Sequence, residues 1–334
     1  MAEHDGRRTG FRLPLSGRSG TAKPLSQAAK AAIAAALLTL IGGLAAPSSI
    51  SGGAIASMLP FVAILAVASL GQHLVIQQRG LDLSVAGIMS FAGVMVTALP
   101  NLTASGWTTI YYIGLTLVMG AGVGAINGVV VTYLRVPPLV TTIGINSLLL
   151  GITQFVSRGF SQQAPPPLNA FGVGHLLGIP NTIYVMAAFG AAAAFVIGRT
   201  SIGRRFVAIS VNPAAAYAIG IRLEFYRVGT YVLAGICYAA AGILLAAYLL
   251  APTIFCGLPY LLATIAAVVV GGNSIGGGGR GSVIATIIGA YFLTYLGQLV
   301  LSVGFGTSAQ NLVQAVIVIG SAALPELARR FRAA

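Results

Sequence analysis

Few residues of this chain have side chains and spacings that could perform catalysis or bind a metal. His73 is the one histidine in the interior of a predicted span, and no Asp, Glu, Lys or Arg accompanies it there. A hydrogen-bonded histidine in helix packing is the favoured interpretation, and a proton relay is the alternative. Cys237 and Cys256 form neither a disulfide framework nor a metal-binding pattern, so we interpret each as a small packing residue.

The glycine-rich segment GGGGRGS, Gly276–Ser282, invites comparison with a phosphate-binding loop. That loop needs a lysine directly before Ser or Thr, and it follows a strand. Here Gly281 occupies the lysine position and an apolar run precedes the segment. The sequence also lacks metal-ligand spacings and a nucleophile elbow. We therefore expect no enzymatic activity, no metal and no bound cofactor, so any uphill transport must draw its energy from a partner.

The composition predicts an all-α polytopic membrane protein. Of 334 residues, 57% are hydrophobic and 7% are charged, whereas soluble domains carry roughly 25% charged residues. The 44 glycines fit this class, because small residues let membrane helices approach closely. No predicted span carries a central Asp, Glu, Lys or Arg. This argues against an ion-coupled carrier, although sodium sites can also be built from carbonyls and hydroxyls.

Ten apolar segments predict about ten transmembrane helices, several shorter than the roughly 20 residues that a bilayer requires. Broken or re-entrant pieces are therefore expected. The predicted organisation is a disordered basic tail at 1–27, one transmembrane domain at 28–325 and a short tail at 326–334. The predicted spans are 30–46, 55–76, 85–99, 109–134, 139–156, 182–198, 228–250, 258–270, 283–301 and 309–324.

The positive charge is distributed by topology. The formal net charge of +13 could indicate nucleic-acid binding. With ten spans and a cytoplasmic N-terminus, however, every Lys and Arg except Arg158 falls on the cytoplasmic side, as the positive-inside rule predicts. Both termini are then cytoplasmic, and we expect no nucleic-acid partner. The acids fall on the same side: Glu3, Asp5, Asp82, Glu224 and Glu326.

The polar stretch Arg199–Arg227 contains a short predicted helix. Asn212 is a good N-cap, Pro213 suits the first helical position, and three alanines propagate the helix. Gly220 offers a left-handed stop. A helix of about seven residues is marginal in water, so it must pack against something else.

The loop before the third span carries two candidate capping residues. Asp82 and Ser84 stand where free N–H groups of the next helix need acceptors. A buried cap that fixes the hinge between spans two and three is the favoured interpretation. Contact with solute or with a partner is the alternative.

Uncharged polar residues inside the spans are candidates for a translocation path. A sugar held weakly in a path needs amide and hydroxyl partners. Hydrogen bonding between helices is the competing role for each of them. The candidates are Asn127, Thr141, Thr142, Asn146, Gln298, Asn311 and Gln314.

Several ordered segments resemble the permeases of the ribose/xylose/galactose group of ABC importers (carbohydrate uptake type 2). QRGLDLSVAG is similar to that family's signature loop, with Arg79, Gly80, Asp82, Leu83 and Ser84 at the matching positions. NPAAAYAIGI, Asn212–Ile221, resembles its coupling segment. Three further stretches, Ala125–Ile145, Val268–Tyr291 and Ala309–Ile319, are also similar, so the resemblance covers residues from about 50 to 324.

The resemblance implies a cobalamin-importer-like (type II) permease fold in the bacterial inner membrane. Two permease subunits, identical or different, would surround a central path. A periplasmic binding protein would deliver the monosaccharide, and a cytoplasmic ABC ATPase would bind ATP and Mg²⁺. The coupling loop 199–227 would carry the helix that contacts this ATPase, through the positions Asn212, Pro213, Ala215, Ala216, Tyr217, Gly220 and Ile221.

Four positions depart from the family pattern. Arg79 replaces a usual glycine, so an ion pair with Asp82 or a helix-cap role is possible there. Ala214 and Tyr217 replace charged residues and leave an unusually apolar helix face, which raises the chance of a different second permease or an unusual ATPase. Ala315 replaces a usual glycine.

The leading hypothesis is the permease subunit of an ATP-driven monosaccharide importer. The same architecture could pass a branched-chain amino acid, an autoinducer or a nucleoside. A self-powered secondary carrier and a structural scaffold are less favoured, because the chain lacks charged groups within its spans and carries ordered motifs.

Overall fold

A computed structural model describes residues 25–100, 105–274, 281–317 and 319–320. The predicted tails at 1–27 and 326–334 lie almost wholly outside these residues. The helices are α1 Gln27–Ala45, α2 Gly52–Gln77, α3 Val85–Ala98, α4 Gly106–Thr132, α5 Pro138–Ser157, α6 Pro166–Val173, α7 Asn181–Arg199, α8 Ser201–Val211, α9 Pro213–Ala218, α10 Leu223–Leu249, α11 Tyr260–Val270 and α12 Val283–Ser302. A 3₁₀ turn, Pro47–Ile50, joins α1 to α2, and residues 307–317 are also helical.

The helices confirm a polytopic membrane protein. Within the described residues, 7 helices are long and apolar enough to cross a membrane, and α3 and α11 are shorter apolar helices. Each of the first nine predicted spans overlaps one of these helices. The tenth predicted span begins in the helical stretch 307–317 and ends outside the described residues. The count of ten therefore stays a prediction.

The core forms around α2 and α10, which are the most enclosed of the long helices. A row of glycines on α4 lets it approach α10 closely. A Cβ added to Gly124 would overlap the carbonyl oxygen of Tyr231, and one added to Gly128 would lie 2.8 Å from the Cα of Val228. Small residues therefore set the distance between these two helices.

The segment between α5 and α7 contains structure that the sequence analysis missed. Residues 158–181, between the predicted spans 139–156 and 182–198, contain α6 and a two-residue hairpin. Pro165 precedes α6, and Pro166 and Pro167 fill its first turn, where no backbone N–H is required. The hairpin pairs His175 with Pro180.

The polar stretch before α10 contains two helices, where we predicted one. α8 begins after Thr200, whose hydroxyl accepts from the N–H of Gly203. Phe206 and Ile209 lie on one face of α8 and are buried. This packing attaches α8, and α9 after it, to the membrane helices.

Candidate coupling site and polar cavity

The short helix α9 has the caps that the sequence predicts. Asn212 Oδ1 accepts from the N–H of Ala215 at 3.1 Å, and Pro213 is the first helical residue. Gly220 has a φ of 80°. Its N–H donates to the carbonyl oxygen of Tyr217, and the N–H of Ile221 donates to the carbonyl oxygen of Ala216. These two bonds form a Schellman motif, in which a left-handed glycine ends the helix.

One face of α9 packs and the other is open. Ala216 is buried in a cluster with Phe206, Ile209 and Tyr226, and Ile221 packs against the same cluster. Ala215 is exposed, and 69% of the Tyr217 surface is accessible. α9 therefore presents an apolar surface without a charged side chain.

Three polar contacts join α8 to the end of α2. The hydroxyl of Ser210 donates to the carbonyl oxygen of Gln77 at 2.8 Å. The amide of Gln78 donates to the carbonyl oxygen of Phe206 at 3.1 Å. The guanidinium of Arg79 reaches the carbonyl oxygens of Ser210 and Val211, each at 3.4 Å. The roles of Gln77, Gln78 and Ser210 were not predicted from the sequence, because a contact between distant segments leaves no local pattern.

Arg79 takes the backbone conformation that a glycine would favour. Its φ is 63°, and it ends α2 with the hydrogen bonds Arg79 N to Ile76 O and Gly80 N to Val75 O. This is the C′ position of a Schellman motif, which explains the glycine usual there in the similar family. Of the two roles considered for Arg79, the structure supports the helix cap. Its guanidinium turns towards the negative end of the α8 dipole.

Asp82, Ser84 and Asn127 form a buried cluster between α3 and α4, here named the Asp82 cluster. Asp82 Oδ1 accepts from the N–H and the hydroxyl of Ser84 at 2.9 and 2.6 Å. Asn127 Nδ2 donates to Ser84 Oγ at 2.8 Å. Burial raises the pKa of the Asp82 carboxyl to about 6, although the hydrogen bonds from Ser84 act in the opposite direction. Ser84 does not cap α3 with its own side chain.

Two side chains of α5 bind the beginning of α3. Thr142 Oγ1 accepts from the N–H of Leu83 at 3.0 Å, and Asn146 Oδ1 accepts from the N–H of Gly87 at 2.7 Å. Thr141 bonds within its own helix, to the carbonyl oxygen of Pro137. The hydrogen bonds of Asn127, Thr142 and Asn146 thus connect helices, which is the competing role considered for them.

A separate cavity of about 550 Å³ lies between α2, α10, α11 and α12. Gln298 and Gln314 line it, whereas Asn311 is exposed and lies outside its wall. The ring of Tyr248, on this wall, packs edge-on against Phe61 with centroids 5.2 Å apart. None of the side chains described on the wall is charged.

His73 belongs to a buried polar network that joins α2, α11 and α12. Its Nδ1 lies 2.9 Å from Thr286 Oγ1, which also accepts from Asn273 Nδ2 at 3.1 Å. Asn273 Oδ1 accepts from the N–H of Ser282. Gly281 packs so closely on Gln77 and His73 that a side chain there would overlap both. Residues 276–280 of the glycine-rich segment lie outside the described residues.

Comparison with known proteins identifies the family. Residues 54–322 match the family described as "Branched-chain amino acid transport system / permease component". The chain belongs to this family of ABC importer permeases. It is thus a multi-pass membrane component of a transporter, and its family does not consist of catalytic enzymes.

The permease is similar to curated sugar permeases over most of its length. It is 30% identical to "Ribose import permease protein RbsC" of Escherichia coli K12, over 91% of this chain and 95% of that one. It is 32% identical to "Galactofuranose transporter permease protein YtfT" of the same strain, over 77% and 74%. The "Autoinducer 2 import system permease protein LsrC" of Yersinia enterocolitica is 28% identical over 77% and 71%. No solved structure matches the permease.

Proposed function

We propose that this permease passes a monosaccharide through the bacterial inner membrane as part of an ATP-driven importer. A cytoplasmic ATPase binds ATP and Mg²⁺, and a periplasmic protein delivers the sugar. The similarity to ribose and galactofuranose permeases, at 30% and 32% identity, supports this substrate class over an amino acid.

The exposed face of α9 is the observation that carries this proposal. A helix of 6 residues is too short to be stable by itself, yet this one is capped at both ends and held by α8. Its open face, with Ala215 and Tyr217, has no partner within the described chain. We assign that face to the ATPase.

The uncharged cavity between α2, α10, α11 and α12 is our candidate for part of the sugar path. Its volume of about 550 Å³ suits a small neutral solute. Gln298 and Gln314 offer amide donors and acceptors for sugar hydroxyls, and the neighbouring aromatic rings offer apolar faces. We assign Asn127, Thr142 and Asn146 to holding α3, α4 and α5 together.

The finer features of the fold belong to the same proposal. They are about ten transmembrane helices, a type II permease fold, cytoplasmic termini and a second permease copy. The long helices α1, α5 and α7 are weakly buried, so their surfaces are open to lipid or to a second subunit.

Reconstitution with the cognate ATPase and binding protein tests the proposal. We expect uptake of at least one monosaccharide that requires ATP and the binding protein. Failure of every monosaccharide to stimulate ATP hydrolysis would reject the sugar assignment. Gradient-driven uptake by the permease alone would reject the ATP-driven mechanism.

Matched variants test the cavity. Gln298→Leu and Gln314→Leu should lower sugar uptake while membrane insertion stays normal. Asn311→Leu is the control, because Asn311 is exposed outside the cavity. Equal effects of all three substitutions on sugar uptake would contradict the assignment of this cavity to the sugar path.

A further inference from the structure

A second cavity, of about 510 Å³, lies behind the coupling helix. We name it the arginine cavity. Its wall is formed by the ends of α2, α4 and α8, the beginning of α10 and Pro213, the first residue of α9. It shares no described lining residue with the candidate sugar cavity.

The charge around the arginine cavity is positive. Arg79, Arg135 and Arg227 line it, with Glu224 as the one acid among its described lining residues. A guanidinium presents a planar fork of N–H donors that matches the oxygens of a phosphate group. Three such groups beside a single carboxylate favour an anion and disfavour a cation.

Two hydroxyls on the same wall form no hydrogen bond with any described residue. Tyr231 is only 4% exposed, and its hydroxyl forms no hydrogen bond within the described residues. The hydroxyl of Thr132 is also buried and unpaired. A buried hydroxyl without a partner is unfavourable by about 1–3 kcal/mol, so native structures seldom leave one unpaired. Both hydroxyls can donate to the oxygens of a bound anion.

We propose that the arginine cavity binds a small phosphate-bearing anion of the size of a phosphorylated sugar. Small-molecule sites typically have volumes of about 300–1,000 Å³, so a bare phosphate would leave space for an attached organic group. An uncharged sugar would leave the three guanidinium groups with only the carboxylate of Glu224 to balance them among the described lining residues. The phosphate therefore provides the recognition.

The position of this site connects it to coupling. Pro213 on its wall begins α9, and Arg79 also contacts the carbonyl end of α8. A bound anion would therefore alter how α8 and α9 are held against α2. We expect the bound anion to change the rate of ATP-driven uptake. This effect on uptake rests on the proposed function, but binding of the anion does not.

Binding is measured on the purified full-length permease in dodecyl maltoside free of phospholipid. Radiolabelled inorganic phosphate and ribose 5-phosphate are titrated at constant ionic strength by equilibrium dialysis. Saturable binding of both, tighter for the sugar phosphate, is expected, and unphosphorylated ribose should not compete. Absence of saturable binding to the wild-type protein would overturn the proposal.

Substitution by glycine removes the guanidinium groups without straining the backbone. Arg79 and Arg135 have φ values of 63° and 56°, which glycine adopts more readily than arginine does. Arg79→Gly and Arg135→Gly should each weaken phosphate binding by about tenfold or more, because a charge-assisted hydrogen bond is lost. Tyr231→Phe should weaken it less.

Arg199→Gln is the matched control. Arg199 is exposed, belongs to the same polar stretch and lines neither cavity. Its substitution should leave phosphate affinity unchanged, and equal weakening would mean that binding is non-specific.

Repeating the titration in phosphatidylglycerol nanodiscs distinguishes a soluble phosphate compound from the phosphate of a lipid headgroup as the ligand. Loss of soluble-phosphate binding there would assign the site to a lipid headgroup instead and overturn the soluble-anion proposal. Since this assay contains no ATPase, its outcome is independent of the uptake assay.

Discussion

Ser210 donates its hydroxyl hydrogen to the carbonyl oxygen of Gln77, with the two oxygens 2.8 Å apart. Gln77 is the last residue of α2, and Ser210 precedes the last residue of α8. This bond connects a core helix to the segment that carries α9. We therefore expect a movement of α9 to be transmitted to α2 through this contact.

Ala215→Arg tests the coupling face. We expect loss of sugar uptake with normal membrane insertion, because Ala215 is exposed and a large charged side chain there blocks a close apolar contact. Sugar uptake and the amount of permease in the membrane are measured on the same cells. Ser201→Arg is the control, since Ser201 is exposed at the beginning of α8. Unchanged uptake in Ala215→Arg would remove the coupling assignment.

Asn212→Ala tests the N-cap of α9. Loss of such a cap costs about 1 kcal/mol, which is large for a helix of 6 residues. Backbone amides of residues 215–218 should exchange hydrogen faster, and uptake should fall. Asn212→Asp keeps an acceptor and should preserve both properties. Slow exchange in Asn212→Ala would show that packing on Phe206 and Tyr226 suffices without the cap.

Gly124→Ala tests the contact between α4 and α10. The new methyl group would overlap the backbone of Tyr231, so the helices must separate, and we expect a loss of about 1–3 kcal/mol in unfolding free energy. Gly122→Ala is a matched control in the same helix, because a Cβ at Gly122 meets nothing within 4 Å. That variant should be as stable as the wild type or slightly more stable. Thermal unfolding in detergent compares the two, and similar midpoints would contradict close packing at Gly124.

Asp82→Asn tests the Asp82 cluster through pH. The Asp82 pKa rises from its usual 3.8 to about 6 on folding, because burial disfavours the charged form. Stability from this group is full below pH 3.8 and is lost as pH rises through 6, by about 3 kcal/mol in total. Asparagine stays neutral and its carbonyl oxygen can still accept from Ser84. The variant should therefore lose less stability than the wild type between pH 4 and 7.

Thermal unfolding midpoints of the wild type and of Asp82→Asn, measured between pH 4 and 7, test this prediction. Glu224→Gln removes an exposed carboxylate and serves as the control for the loss of one negative charge. Equal pH dependence in wild type and Asp82→Asn would mean that Asp82 is already ionised in the folded protein at low pH.

Local sequence signals predicted the α9 region well and α8 poorly. Asn212, Pro213 and Gly220 each fix one backbone feature of α9 through their own chemistry, so no tertiary information was needed. In α8, the signal was the Thr200 cap together with Phe206 and Ile209 on one face. The three nearby arginines gave no local indication of packing, and the contact with Leu74 of α2 is seen only in the tertiary structure.

The sequence by itself determined the membrane class, the positions of the first nine spans and the ends of α9. These follow from apolar runs and from capping residues, which act over a few neighbours. Only the tertiary structure decided that Asn127, Thr142 and Asn146 hold α3, that Gln298 lines a cavity while Asn311 does not, and that Arg79 and Arg135 line one cavity. Such relationships depend on how helices distant in the sequence rotate and pack, and uniformly apolar spans leave that rotation unspecified in the sequence.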